Sequence, residues 1–265
     1  MNKKIFCMEC SRRKIQVLLL TLLAVLTVLV LAYLNLYTYV YKYQIDVWEQ
    51  AGQIFSLLFP LLCMLCAGSM IYEDKRNSFL LYIQVRMPMK EYLASKKAAC
   101  ITVTFLFLFL ASFLSAAIIY FLFPKVGGLY QVYQSGNFSH IMGNWYTEHA
   151  LGYAFILSIW RGMLGGVIVN FGFHLSKYVT NKVVIYVGPF VLVMLLHFVL
   201  AIAGIPQYSI IYSFEPSGLV SSAITLWSVL IGPAQFLIFA FLAEIVGRYY
   251  ENHCVNSPKN LPGSI

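Results

Sequence analysis

Charge is scarce in this chain. Asp, Glu, Lys and Arg make up 11% of its 265 residues, where a soluble domain carries about 25%. The deficit excludes an ordinary soluble globule, whatever domain count the length would suggest. Familiar catalytic motifs are missing too. The sequence has no GxxxxGK[ST] loop to cradle phosphates and no HExxH pair. Gly127-Gly128 and Gly165-Gly166 lack the flanking residues that a nucleotide loop needs. No Ser/His/Asp set is legible from spacing. There is no evident linker, low-complexity tract or internal repeat.

What the chain has is apolar length: 60% of its residues are hydrophobic. A helix needs ~20 mostly apolar residues to cross a hydrocarbon core of ~30 Å. Six stretches qualify, at 15–40, 52–72, 98–123, 151–173, 183–204 and 223–246. The expected fold is an all-α integral membrane protein with six transmembrane helices. Residues 1–250 form one transmembrane domain, and 251–265 a cytoplasmic tail with two prolines and a glycine, expected to be disordered. The basic N-terminus followed by an apolar run could open a signal peptide. No small-residue cleavage site ends the run, so a retained first span is expected.

The basic residues set the orientation. With the N-terminus inside, only Lys42 and Lys125 fall outside and Arg161 within a span. Every other Lys and Arg lies on the inner side, including Lys75, Arg76, Arg86, Lys90, Lys96 and Lys97 of the loop at 73–97. This is the positive-inside pattern. It also accounts for the net charge of +8 through anionic lipid rather than nucleic acid. The chain is expected in the plasma membrane, multi-pass, with both termini cytoplasmic. None of the cysteines (Cys7, Cys10, Cys63, Cys66, Cys100 and Cys254) then falls in an outer loop, so no disulfide framework is expected. Cys7-x-x-Cys10 and Cys63-x-x-Cys66 have the spacing of metal or redox pairs. Buried thiols read more simply as helix packing, and no metal site is assigned.

A few residues stand out against this background. Arg161 is the charged residue well inside a span, where burial costs ~2.5–3.5 kcal/mol unless a partner or water meets it. It either snorkels or touches an anionic substrate or lipid. Asn170 and His197 are the other polar candidates at depth. Ser158, Gly162, Gly166 and Asn170 form a small-residue stripe that reads as a packing seam. Glu244 and Arg248 have ion-pair spacing. The outer segment 124–150 is rich in aromatics (Tyr130, Tyr133, Phe138, Trp145, Tyr146), which reads as anchoring at the lipid surface.

The inner loop after the second span is the most informative segment. Glu73-Asp74-Lys75-Arg76-Asn77-Ser78 leads into Phe79, Leu80 and Ile83 on one helical face, with Arg76, Gln84 and Arg86 elsewhere. That pattern predicts a short amphipathic helix at the membrane surface. Met87-Pro88-Met89 breaks it, and Lys90-Glu91-Tyr92-Leu93-Ala94-Ser95-Lys96 begins the third span. On these residues the chain resembles the permease subunits of type-2 ABC exporters. Glu73 and Lys96 occupy matching positions, while Asn77-Ser78 stands where that family usually has Gly-Thr. The resemblance covers most of the chain in layout and about 25 residues in motif.

The resemblance implies a function. Glu73, Asp74, Arg76, Asn77, Ser78, Phe79, Ile83 and Arg86 would form a coupling helix against a separate nucleotide-binding ATPase. Residues 4–14 would be an amphipathic interfacial helix. The segment from Ile205 to Gly218 would dip back into the outer leaflet as a re-entrant hairpin. A second permease subunit, identical or homologous, would complete the path, and membrane lipid would surround it. The chain would be a transport subunit rather than an enzyme, with no catalytic residues and no cofactor of its own. ATP and Mg would sit on the partner ATPase. The cargo would be amphipathic or hydrophobic, such as a peptide antibiotic, a drug or a lipid. The competing reading is a secondary transporter or membrane-embedded enzyme without an ATPase partner, which normally needs several ionisable groups at mid-membrane.

Overall fold

The computed structural model describes residues 3–38, 41, 43–76, 88–124, 143–179, 181–219 and 225–250. These residues are helical almost throughout, with no strand among them. The long helices are α1 (Lys3–Leu36), α2 (Gln44–Arg76), α3 (Met89–Leu122), α5 (Ala150–Tyr178), α6 (Lys182–Ile202) and α8 (Leu226–Tyr250). Two short helices join them, α4 (Gly143–Glu148) and α7 (Ile210–Phe214), the latter flanked by 3-10 turns at Pro206–Tyr208 and Pro216–Gly218. All six long helices are long and apolar enough to cross a membrane. The chain is a multi-pass membrane protein.

Several helices extend past the apolar runs at one end. α1 has 34 residues and is about 51 Å long at 1.5 Å per residue, well beyond a ~30 Å core. The resemblance implies an interfacial helix at 4–14. In the structure those residues are instead the first turns of the same helix as the span. Lys, Arg and Met are good helix formers, and nothing between Arg13 and Ile15 breaks the chain. α2 likewise begins at Gln44, eight residues before the apolar stretch, with Asp46 in its first turn, where an acidic side chain suits the helix dipole.

The centre of the bundle is the α3–α5 pair, the most extensive contact among the described residues. The helices run antiparallel with a clear register: a Cβ at Gly166 would meet Ile101 at 3.1 Å, and one at Gly162 would meet Phe105 at 2.8 Å. The small-residue stripe is therefore the packing seam that its spacing suggests. Toward one end the seam continues as stacked rings, Phe105 on Phe109 and Phe109 on Phe113, with Phe155 edge-on to the last two. α1 and α2 pack on α3, while α6 and α8 are mostly exposed and flank α5 and α2. The exposed faces are apolar, for example Leu19, Leu23 and Leu26 on α1 and Phe198, Val199 and Ile202 on α6, as a lipid-facing surface requires.

One end of the bundle is basic. There Lys96 of α3 meets Glu9 of α1 at 3.9 Å, both buried. Lys97 Nζ lies 3.1 Å from His174 Nε2 of α5, whose Nδ1 lies 2.5 Å from Glu244 of α8. Glu244, spaced for a pair with Arg248, thus reaches across to another helix; the side chain of Arg248 lies outside the described residues. Lys96, which the resemblance matches at the entry to the third span, is buried against α1.

Candidate functional site

The polar side chains of the opposite end converge on Arg161. Midway along α5, it is 3% exposed, so it does not snorkel. Its Nη2 donates to Glu215 Oε2 in a buried ion pair. Nη1 donates to Ser112 Oγ at 2.9 Å, and Nε to the Phe214 carbonyl at 3.3 Å. The guanidinium also lies over the rings of Trp48, 4.5 Å away, and Phe214, 5.1 Å away. A carboxylate, a hydroxyl, a carbonyl and two aromatic rings thus meet the cation, which is how a charge is accommodated away from water.

Four elements build this site. α5 supplies Arg161 and Tyr153, and α3 supplies Ser112 and Ser115. α2 supplies Trp48, whose Nε1 donates to Ser115 Oγ at 3.1 Å, and Glu49, which accepts from Tyr153 OH at 2.8 Å. Glu49 is buried and within electrostatic range of both Arg161 and Glu215. One turn on, Gly52 leaves the ion pair uncovered from the α2 side: a Cβ there would sit 3.5 Å from Glu215 Oε2 and 3.8 Å from Arg161 Nη2. A cavity of about 30 Å³ opens beside Arg161, lined mostly by apolar groups including Val28, Trp48, Phe55 and Leu108.

The fourth element is the hairpin 205–219. Gly204, at φ 73°, ends α6 with a left-handed turn that glycine adopts without strain. Ile210, Ile211, Ser213, Phe214 and Glu215 are all buried. Phe214 stacks on Phe59 of α2, with ring centroids 4.4 Å apart. Trp160 Nε1 donates to the Ser213 carbonyl at 2.8 Å, and Ser217 Oγ donates to Glu215 Oε1 at 2.7 Å. His197 Nδ1 is 3.0 Å from Ser209 Oγ. A Cβ at Gly232 of α8 would lie 2.8 Å from Ile210 Cα, so the hairpin packs closely on that helix.

A second polar contact lies farther toward the same end. Tyr146 of α4 donates to Asp46 Oδ1 and stands edge-on to Tyr43 and Tyr153. Burial pushes its phenol well above the ordinary range, and the carboxylates of Glu49 and Asp46 push it further. Tyr146 is therefore not the lipid-surface aromatic that composition suggests: it is 2% exposed, whereas Trp145 beside it is 50% exposed. Tyr130, Tyr133 and Phe138 lie outside the described residues.

The structure thus brings Arg161 and His197 onto the same hairpin. Asn170, nine residues farther along α5, is not part of the cluster; its Oδ1 is buried without a hydrogen bond among the described residues. Glu73, Asp74 and Arg76 fall in the last turns of α2, their side chains outside the described residues. Asn77, Ser78, Phe79, Ile83 and Arg86 lie outside them altogether. Cys63, Cys66 and Cys100 are buried free thiols, and no group of His, Cys, Asp or Glu among the described residues is arranged to hold a metal. Comparison with protein-family models, curated proteins and solved structures finds no significant match.

Proposed function

We propose that this chain is the permease subunit of an ATP-driven exporter in the plasma membrane, with both termini cytoplasmic. The observation that carries the reading is the inner loop. Glu73 falls in the last turn of a spanning helix that ends at Arg76, and Pro88 precedes a helix that opens Met89-Lys90-Glu91-Tyr92. Between them lies the amphipathic stretch that resembles the coupling helix of type-2 ABC exporters. Two further features support it. Six candidate spans and a sequence without a GxxxxGK[ST] loop fit an exporter whose ATP hydrolysis is supplied by a separate ATPase. The buried hairpin at the other end fits a re-entrant element in the outer leaflet, where irregular backbone is tolerated if protein shields it. Two permeases would enclose the path of an amphipathic or hydrophobic cargo.

The test is a mild-detergent pull-down of the tagged chain from its native membranes. A stoichiometric soluble protein with a phosphate-binding loop is expected. In proteoliposomes containing both proteins, flux should then require ATP, and Glu73→Ala should reduce it with expression unchanged. An intact chain that brings down no ATPase sinks the proposal.

One observation favours a second reading. Glu49, Arg161 and Glu215 are buried together, and intramembrane ionisable clusters mark ion-coupled carriers. Flux driven by a proton or sodium gradient without ATP would select a secondary transporter.

A further inference from the structure

Arg161 holds the hairpin and α2 faces Arg161, and these two facts together suggest a device that stands whether or not an ATPase drives the protein. Of the three hydrogen bonds made by the guanidinium, two go to the hairpin, from Nη2 to Glu215 and from Nε to the Phe214 carbonyl. The Phe214 ring covers one face of the cation. Departure of the hairpin would strip these partners together. What remains is Ser112 and the Trp48 face, both neutral. A buried cation abandoned in this way is strongly unfavourable, by far more than a lost neutral contact.

A replacement stands close by. Glu49 adjoins Trp48 and shares the α2 face with Gly52, three residues on. Gly52 has no side chain to separate the guanidinium from α2. Glu49 is already within electrostatic range of Arg161, and one turn on the α2 backbone comes so near that a Cβ at Gly52 would sit 3.8 Å from Arg161 Nη2. Among the described residues, the charged and titratable groups facing this position are Asp46 on α2, Tyr146 on α4, Tyr153 and Arg161 on α5, and Glu215 on the hairpin.

We propose that Arg161 is a two-position latch. Paired with Glu215 it locks the hairpin onto the bundle, and paired with Glu49 it stabilises the released state. Glu49 and Glu215 therefore compete for one cation. Tyr153, by donating to Glu49, restrains the competitor while the hairpin is docked.

The test uses the purified full-length chain in detergent and a thiol introduced by Ile211→Cys, at a hairpin position 4% exposed. Its maleimide labelling rate, read by mass spectrometry of the peptide, reports hairpin release. Glu215→Gln should speed labelling at least tenfold. Glu49→Gln should slow it several-fold, because the released state loses its partner. Tyr153→Phe should speed it, because Glu49 is no longer restrained. The opposite signs at Glu49 and Tyr153 are the signature, since loss of packing alone speeds labelling in every variant. Labelling that accelerates or stays within twofold in Glu49→Gln overturns the latch. Should Glu49→Gln not fold, Tyr153→Phe decides the matter: a rate unchanged within twofold overturns the latch.

Discussion

Removing Arg161 should damage the fold far more than removing its partner. Arg161→Met keeps much of the side-chain volume and deletes the charge. Glu215, 3% exposed, then retains Ser217 as a donor but has no cation, and Glu49 is buried nearby. Breaking a buried pair from one side costs about 3–5 kcal/mol. Glu215→Gln is milder: the amide still accepts a hydrogen bond, and Arg161 keeps Ser112, the Phe214 carbonyl and the ring of Trp48. Loss of a charge-assisted bond alone costs about 1.5–3 kcal/mol. At roughly 2–4 °C per kcal/mol for chains of a few hundred residues, Arg161→Met should melt on the order of 10 °C lower, and Glu215→Gln about half as far. Cys63, Cys66 and Cys100 are buried free thiols, so once the exposed Cys7 has reacted, further labelling by a thiol-reactive fluorophore during a thermal ramp in one detergent reports unfolding without introduced cysteines. Equal shifts, or a larger one for Glu215→Gln, would refute the charge argument and leave Arg161 as packing volume.

Other consequences follow from neighbouring contacts. Gly232→Val should destabilise the hairpin, because even its Cβ would meet the backbone of Ile210 at 2.8 Å; overpacking costs about 1–3 kcal/mol, visible as faster proteolysis within 205–219. Lys96→Met should lower stability by about 1–3 kcal/mol by leaving Glu9 buried without its cation, and Glu9→Gln in the same chain should recover part of the loss in the same melting assay. Tyr146 is held as a neutral phenol. Its contribution is therefore present below the ordinary tyrosine value of ~10 and declines as pH rises further, because the unfolded chain ionises first. Tyr146→Phe should flatten the fall in melting temperature between pH 9 and 11.

Some of this was legible in the sequence. The six spans were, because apolar length is a compositional property that survives without any knowledge of contacts. Their ends were not. At Lys3–Lys14 the polarity changes while helix propensity does not, so hydropathy marks a break that the backbone ignores. At Gln44–Ala51 the polar residues look like loop, yet Trp48 and Glu49 are buried by tertiary contact with Ser115 and Tyr153. Arg161 announced itself as a lone charge in an apolar run. Its partners did not, since Glu49 and Glu215 sit outside the apolar stretches, where a carboxylate attracts no notice. A signal was available: an Arg at that depth needs an anion, and the acidic residues on its side of the chain are only Asp46, Glu49, Glu148 and Glu215.

The glycine seam and the charge cluster are parts of one arrangement. Gly162, Gly165 and Gly166 allow α3 to approach α5 so closely that added Cβ atoms would strike Phe105, Leu108 and Ile101. That approach fixes a register in which Phe105 faces Gly162 and the Phe113 ring meets Phe155. Ser112 is thereby carried to hydrogen-bonding distance of Arg161, and Ser115 to the Trp48 indole. At the basic end the same register sets Lys97 against His174. Close-packed seams resist sliding, because any shift forces atoms into overlap. The hairpin, by contrast, is tied to α5 largely through polar contacts from Trp160 and Arg161, and such contacts can exchange partners without a change in packing volume. The rigid pair therefore presents the cation at a fixed point, and the hairpin and α2 are the elements that meet it with carboxylates.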